Sequence, residues 1–409
     1  MGKSWTGRRG RAAGGNLILL IFGVALALGL AELAARQLPG RPYAEDNGDL
    51  WACERLVGWR GKPNTNRIVN TQGYEHEVIR NSAGMHDDEH SLAKPDNVFR
   101  ILVIGDSFVE ARQVTTPESS HSVLEETLNA TAPPNLSYEV INAGASAWGP
   151  AQALMYFRSE GRRYAPDLVV NFWYPANDLS DILPDHRMTF EGTNCYAPYF
   201  VRCDQQFDPN PWYSAPGLSP TYKQPCSSLK KATVSFLNWL YFKSRLYQRL
   251  EPLLAGHQAK VKYEFEFSPW LENRPDETLD YAYQITDGIF SQLATEAGQI
   301  GAKSAIIVVP LKEAVYYELG SPYREQFEAE YPDLKNVNPE LPSQKINALM
   351  TPKGVPVLDL QPFFVEHLKR GGGVLYWEVD SHWNVPGNRF SGERVAQWLI
   401  EQKLVPAPR

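Results

Sequence analysis

The sequence predicts an α/β protein: a three-layer α/β/α domain on a five-stranded parallel sheet, plus an aromatic-rich insertion. Three observations carry that prediction. Five short apolar runs, at residues 100–106, 139–144, 167–173, 304–310 and 355–360, are each bounded by a charge, a Gly or a Pro. That is how strands buried on both faces of a parallel sheet read. Helical stretches alternate with these runs, and alternating β and α places helices on both faces of one sheet. Finally, the chain between the third and fourth runs is far longer than one crossover helix needs. Residues 190–270 within it hold 17 aromatics, well above the 12% of the whole chain.

In chain order, residues 1–11 are basic, with Lys3, Arg8, Arg9 and Arg11, and residues 12–31 carry no charge. At ~1.5 Å per helical residue the apolar run reaches roughly 30 Å, the thickness of a hydrocarbon core. Residues 12–36 are therefore read as a transmembrane anchor or a signal segment. The basic flank keeps the N-terminus cytoplasmic and sends the body out of the cytoplasm. Glu32, Leu33 and Arg36 crowd the positions where a small-x-small cleavage site would stand, which favours a single-pass anchor in the cell membrane over a cleaved peptide. Arg8-Arg9 is read as flanking charge, because Gly-Arg-Ala-Ala after it fits a twin-arginine signal poorly. The expected location of the body is extracytoplasmic, in the periplasm.

The net charge is −7 for the whole chain, and residues 37–409 are more acidic still because five basic residues and one acid lie before them. Such a body has no bulk attraction for phosphates, so a nucleic-acid partner is not expected. Cys53, Cys195, Cys203 and Cys226 form no CxxC metal spacing, and three of them fall within one short stretch. Outside the cytoplasm this pattern implies at least one disulfide. Sequence leaves the pairing open.

Residues 37–98 read as a linker and a lead-in of a few short strands, punctuated by Asn-Thr-Gln-Gly-Tyr and Asn-Ser-Ala-Gly-Met. Residues 99–183 and 276–404 form the main domain, and 184–275 the insertion. Thr116-Pro117 supplies an N-cap and first-turn proline for a helix to about residue 128. Further helices are expected at 150–159, 278–300 and 386–402, with one more inside the insertion at 228–254. That last segment sets Leu and Trp residues among five Lys and Arg. It is read as an amphipathic helix packing on the core, with an interfacial helix on anionic lipid as the alternative.

The residues that carry chemistry cluster at one edge. Ile104-Gly105-Asp106-Ser107-Phe108 closes the first strand, Asn142-Ala-Gly144 the second, and Ala176-Asn177-Asp178 follows the third. Asp380-Ser-His382-Trp-Asn384-Val-Pro-Gly387 stands near the C-terminus. Carboxyl ends of strands in an open parallel sheet are where ligands bind. A Ser, a His with an Asp two residues away, and spare amide donors are the parts of acyl transfer. Taken alone, Gly-Asp-Ser at a strand end reads as well as a helix cap.

These four blocks, in this order, resemble the SGNH-hydrolase (GDSL esterase/lipase) superfamily over residues 78–183 and 300–400. The resemblance implies a flavodoxin-like strand order, with Ser107 as nucleophile, His382 as general base and Asp380 orienting the imidazole. It implies an oxyanion hole made by the backbone N–H groups of Ser107 and Gly144 and the side chain of Asn177. No cofactor and no metal are implied. Asp-x-His replaces the family's commoner Asp-x-x-His. With Trp-Asn-x-x-Gly after it, that block is similar to members acting on cell-envelope polysaccharides and to alginate O-acetylation proteins, although the latter place Asp-His before the Ser. The expected substrate is an acylated glycan or small ester, most simply an O-acetyl ester. Hydrolysis, transfer of the acyl group to a sugar hydroxyl, and glycan binding without catalysis are the three readings, and the intact residue set argues against the last.

His86-Asp-Asp-Glu-His90 has the look of a metal site but lacks a further ligand cluster nearby, and is read as structural. His121 is expected to be half-buried on a helix. Asn129 and Asn135 begin sequons that matter only in a glycosylating host.

Overall fold

The computed structural model describes residues 7–37, 50–54, 56–70, 73–183, 197–203, 206–211, 236, 244, 246, 271–273, 275–378 and 380–406. Most of the aromatic-rich insertion, including the helix expected at 228–254, lies outside the described residues. The chain divides into two compact units, residues 1–43, 214–218 and 227–260 in one and the remainder in the other. The described part of the first is mainly α1 (Gly7–Gln37), whose segment Leu19–Gln37 has a mean hydropathy of 1.9. It is long and apolar enough to cross a membrane, a test that signal sequences also pass.

The second unit begins with two antiparallel pairs, β1 (Trp51–Glu54) with β2 (Gly58–Gly61) and β3 (Asn66–Asn70) with β4 (Glu75–Ile79). The sheet strands and helices follow: β5 (Val98–Gly105), α2 (Ser107–Glu110), α3 (Ser120–Ala130), β6 (Ser137–Gly144), α4 (Pro150–Ser159), β7 (Leu168–Trp173) and α5 (Pro175–Asp181). A small pair, β8 (Arg202–Cys203) and β9 (Gln206–Phe207), belongs to the insertion. The domain resumes with α6 (Glu277–Gln299), β10 (Lys303–Val308), α7 (Lys312–Glu318), α8 (Tyr323–Glu330), α9 (Leu341–Met350), β11 (Val357–Asp359), α10 (Gln361–Lys369) and α11 (Val385–Glu401).

The sheet order is β11-β10-β7-β5-β6, and every pair is parallel. Numbered among themselves, the five strands run 2-1-3-4-5, the flavodoxin-like order. Alternate residues explain why three layers form. Ile101, Val103, Val170 and Ile307 face a core completed by Leu124, Leu128, Val395, Leu399 and Phe364 from α3, α11 and α10. On the other face α6 packs against α4 and β10. Strands buried on both sides need no polar face, which is why the five runs could be read as continuous apolar stretches. Arg100 is the exception. It stood as the charge bounding a strand, yet it is fully buried, with its guanidinium on Glu139 at 2.7 Å and on Tyr164 O at 2.6 Å.

Other expectations need correction. α2, α5 and α7 to α10 went unread: they are short, and in α8 the only buried residue is Phe327, so the apolar period is too faint to see. His121 is buried rather than half-buried. Gly105, at the end of β5, is not at positive φ. A Cβ there would lie 2.6 Å from Val109 Cγ2 and 2.9 Å from Phe172 O, so close packing is what demands glycine.

The lead-in is packed into the domain rather than appended to it. Trp59 Nε1 donates to Ser146 O at 2.8 Å, and Trp148 Nε1 donates to Trp59 O at 2.7 Å. Cys53 in β1 is disulfide-bonded, and no cysteine among the described residues is free. The His86–His90 segment is spent on internal contacts. His86 Nδ1 bonds Glu110 O at 2.8 Å, and the Asp87 carboxylate lies between His121 and His90 at 3.1 and 2.9 Å.

His90 sits between two carboxylates, Asp87 and Glu139, the latter at 2.7 Å. Burial pulls its pKa down, but the bonds and charge of Asp87 and then Glu139 win and push it from 6.5 to about 9. The stabilising contribution is complete below pH 6.5, where the ring is charged in both folded and unfolded chains. It is lost as pH rises through about 9. His90→Gln is therefore expected to unfold at a lower denaturant concentration at pH 6, by up to about 3 kcal/mol, and the gap to wild type should close by pH 10. A gap that stays constant from pH 6 to pH 10 would show that the ring is neutral.

Candidate active site

The site stands at the carboxyl edge of the sheet, where the chain leaves β5 for β6 on one side and later returns to β7 on the other. In this strand order that is the switch point, where the loops part and leave a crevice. Ser107 opens α2 directly after β5. Its neighbour Asp106, not Ser107, caps the helix, accepting the Phe108 N–H at 2.9 Å. The hydroxyl of Ser107 is thereby released from the capping role that its sequence context allowed.

His382 and Asp380 come from the far end of the chain, on a connection between α10 and α11. His382 Nε2 lies 2.6 Å from Ser107 Oγ, and His382 Nδ1 bonds Asp380 Oδ1. Asp380 Oδ1 also accepts the His382 backbone N–H at 2.9 Å. The two-residue spacing therefore closes on itself: one carboxylate oxygen holds both the backbone and the ring of the histidine. Tyr74, just before β4, approaches the other oxygen at 3.5 Å. Burial raises the Asp380 pKa, but the hydrogen bonds and charge of His382, with Arg112 behind them, pull it below its ordinary value. An ionised Asp380 keeps the proton on Nδ1 and leaves Nε2 free to accept from the Ser107 hydroxyl. Phe108 backs the imidazole with ring centroids 4.9 Å apart, and packs on Tyr174 at 4.6 Å.

The connection carrying the pair is fastened by residues of the motif itself. Tyr376 and Trp383 form an antiparallel bridge, and Trp377 N donates to His382 O at 3.0 Å. Asn384 caps α11 by accepting from Gly387 N at 2.9 Å and donates through Nδ2 to Val374 O at 2.9 Å. A Cβ on Gly387 would lie 2.0 Å from Leu375 O, so only glycine lets the helix start against this loop. The Trp-Asn-x-x-Gly signature is thus a local clamp.

Gly144 is placed differently from expectation. Its N–H donates to Asn142 Oδ1 at 3.0 Å and so is taken within its own strand end. Its glycine character has a steric cause: a Cβ would lie 2.5 Å from Glu110 N and 2.6 Å from Val109 Cβ, beneath α2. Three residues on, Ala147 stands at φ +59°, and its N–H has no hydrogen-bond partner among the described residues. The preceding residue is pinned from below. Ser146 N donates to Glu110 Oε2 at 2.7 Å, its hydroxyl bonds the same oxygen, and the buried Glu110 pairs with buried Arg80. An alanine in left-handed conformation leaves no mark in a sequence, so the bend at Ala147 was not readable.

Asn177, in the first turn of α5, comes up against Asp106 and helps hold that carboxylate ionised. Burial nevertheless pushes Asp106 up to about 6, the Phe108 N–H, His382 and Asn177 offsetting only part of the effect. Asn177 Oδ1 is buried without a hydrogen-bond partner, so any donation from this amide comes through Nδ2. Asp178 turns away from the site and accepts from Tyr174 N at 2.8 Å. Among the described residues no group of three His, Cys, Asp or Glu side chains is arranged to hold a metal ion.

No protein-family model matches the chain, and no curated protein sequence matches it either. Solved structures do. TesA is 15% identical over 75% of this chain and 99% of its own, with a TM-score of 0.36. The acetylxylan esterase Axe2 from Geobacillus stearothermophilus is 12% identical over 75% of this chain and 93% of its own, with a TM-score of 0.38. A G-D-S-L family protein from Desulfitobacterium hafniense is 11% identical over 73% and 98%, with a TM-score of 0.31. At such identities and scores the likeness carries no argument about chemistry, which has to come from the site.

Proposed function

We propose that this chain is an exported serine esterase of SGNH type that removes acyl groups, O-acetyl foremost, from an envelope glycan. One observation carries the reading: Ser107 Oγ, His382 and Asp380 form a continuous hydrogen-bonded relay. In the first half-reaction the Ser107 oxygen adds to the ester carbonyl carbon while its proton passes to His382 Nε2. The tetrahedral adduct then expels the sugar alkoxide, which takes that proton and leaves as the free hydroxyl. Water repeats the sequence on the acyl-enzyme and releases the acid. In this reading the oxyanion is met by the N–H of Ser107 and by Asn177 Nδ2, and the N–H of Ala147, which has no partner among the described residues, is offered as the third donor in place of Gly144. Each such donor is worth ~10²–10³ in rate, because it faces charge that exists only in the transition state.

Two features support the finer parts of the proposal. Trp377, half-buried beside Asp380 with its ring backed by buried Tyr74 at 5.3 Å, offers an aromatic ring on which a sugar could stack. α1 and the disulfide at Cys53 both fit a body held outside the cytoplasm on a membrane anchor. The test is turnover of 4-nitrophenyl acetate by the full-length chain, with and without a deacetylated envelope glycan. Acetate release matching nitrophenol release is expected in both cases. Acetyl groups accumulating on the glycan while free acetate lags would convert the esterase into an acyltransferase. Absence of both turnover and Ser107 acylation would leave a binding protein. Protease added to cells with a permeabilised outer layer should digest the body beyond residue 40, and its protection would remove the exported location.

A further inference from the structure

The loop that presents Asp380 and His382 is clamped at its ends by the Tyr376–Trp383 bridge and by Asn384, and between those ends it depends on a side chain from elsewhere. Between the Tyr376–Trp383 bridge and His382, the described backbone makes one internal hydrogen bond, Trp377 N to His382 O. Three of its carbonyls converge on a single side chain. Lys312 Nζ donates to Trp377 O at 2.8 Å, to Glu378 O at 3.1 Å and to Asp380 O at 3.4 Å. An ammonium has three donors and no acceptor, so three carbonyls use it completely. Lys312 forms no ion pair with a carboxylate among the described residues, so this cation is committed to the loop. Its own base is rigid. Lys312 is the first residue of α7, directly after Leu311, which is buried at the end of the connection from β10.

We propose that Lys312 is the positioning residue of the Asp-x-His block: its ammonium fixes the carbonyls of Trp377, Glu378 and Asp380 so that Asp380 holds the His382 ring in line with Ser107. The inference rests on the esterase reading for its kinetic consequence, but not for its geometry. The physical need is clear from the short spacing. In a two-residue block the carboxylate that orients the ring also bonds the histidine backbone. Any drift of the Asp380 backbone therefore carries the imidazole with it. Misplacement of a reacting group by about 1 Å can cost ~10² in rate, and while the bridge and Asn384 hold the ends of the loop, Lys312 holds the carbonyls that lie between them.

The experiment compares wild type, Lys312→Met and Lys312→Cys in the full-length chain, the last before and after alkylation with 2-bromoethylamine. In that reaction the thiolate displaces bromide and restores an ammonium at nearly the original reach. Lys312→Met is expected to lower kcat for 4-nitrophenyl acetate by ~10–100-fold with KM within about twofold, and to slow fluorophosphonate labelling of Ser107 in proportion. Aminoethylation of Lys312→Cys should recover most of the loss, while the same treatment leaves wild type unchanged. A second readout does not depend on turnover. The Nδ1 proton between His382 and Asp380 should give a low-field imidazole resonance in wild type, assigned by its absence in His382→Asn, and should broaden or vanish in Lys312→Met. If Lys312→Met does not fold, Lys312→Gln, which keeps a donor without the charge, takes its place. A folded variant with kcat within twofold of wild type and an unchanged low-field signal overturns the proposal. So does a loss that aminoethylation leaves unrepaired. Wild type that shows the signal but neither hydrolyses the ester nor labels at Ser107 would refute the esterase reading alone, and the signal in Lys312→Met would still decide the role of Lys312.

Discussion

Ser107→Ala is expected to abolish ester turnover and to eliminate labelling by a fluorophosphonate, with the fold intact. The expectation is large because, in the proposed mechanism, the mutation removes the atom that forms the acyl bond. The fold should tolerate it because Ser107 is not the helix cap. Asp106 makes the capping bond to Phe108, and the hydroxyl of Ser107 is engaged with His382. Mass spectrometry of the labelled protein and thermal unfolding of both forms would check the two halves. Undiminished labelling stoichiometry in Ser107→Ala would mean that another residue is the nucleophile.

The second large effect is that of His382. In the proposed mechanism its Nε2, 2.6 Å from Ser107 Oγ, is the proton acceptor, and general-base catalysis supplies ~10²–10⁴ in rate. His382→Ala should lose at least that factor in kcat/KM on a small ester. Asp380→Asn should lose less. The ring would keep Phe108 at its back, but the tautomer and the imidazolium would no longer be favoured by a carboxylate held ionised. Because the hydroxyl and the imidazole act as one unit, Ser107→Ala combined with His382→Ala should be little worse than either alone. Measuring kcat/KM for the singles and the double would show this. Near-wild-type turnover in His382→Ala would require a different histidine as base and would remove the Asp-x-His block from the mechanism.

A good part of this arrangement was open to reading along the chain. The five buried strands announce themselves because a strand covered on both faces has no polar side to interrupt its apolar run. All five lie within a residue or two of where periodicity put them. Ser107, Asp380 and His382 could be singled out because nucleophile, base and carboxylate are side-chain chemistry, and a parallel sheet delivers the ends of its strands to one edge whatever lies between. The N-terminal helix follows from hydropathy and length.

What tertiary structure decided is of another kind. Gly144 and Ala147 show the division most plainly. The direction of a backbone N–H is set by the dihedrals of its loop, and no residue type records it, so neither the Gly144 N–H spent on Asn142 Oδ1, with a glycine required for packing beneath α2, nor the left-handed Ala147 could be read from the chain. Arg100 could be seen as a charge at a strand end but not as a buried one, because its partners Glu139 and Tyr164 come from distant parts of the chain. Lys312 is one of 40 basic residues, and only the closed chain brings it the carbonyls of Trp377, Glu378 and Asp380 to bind. Side-chain chemistry and local periodicity travel with the sequence; hydrogen-bond direction and long-range pairing exist only once the chain has closed on itself.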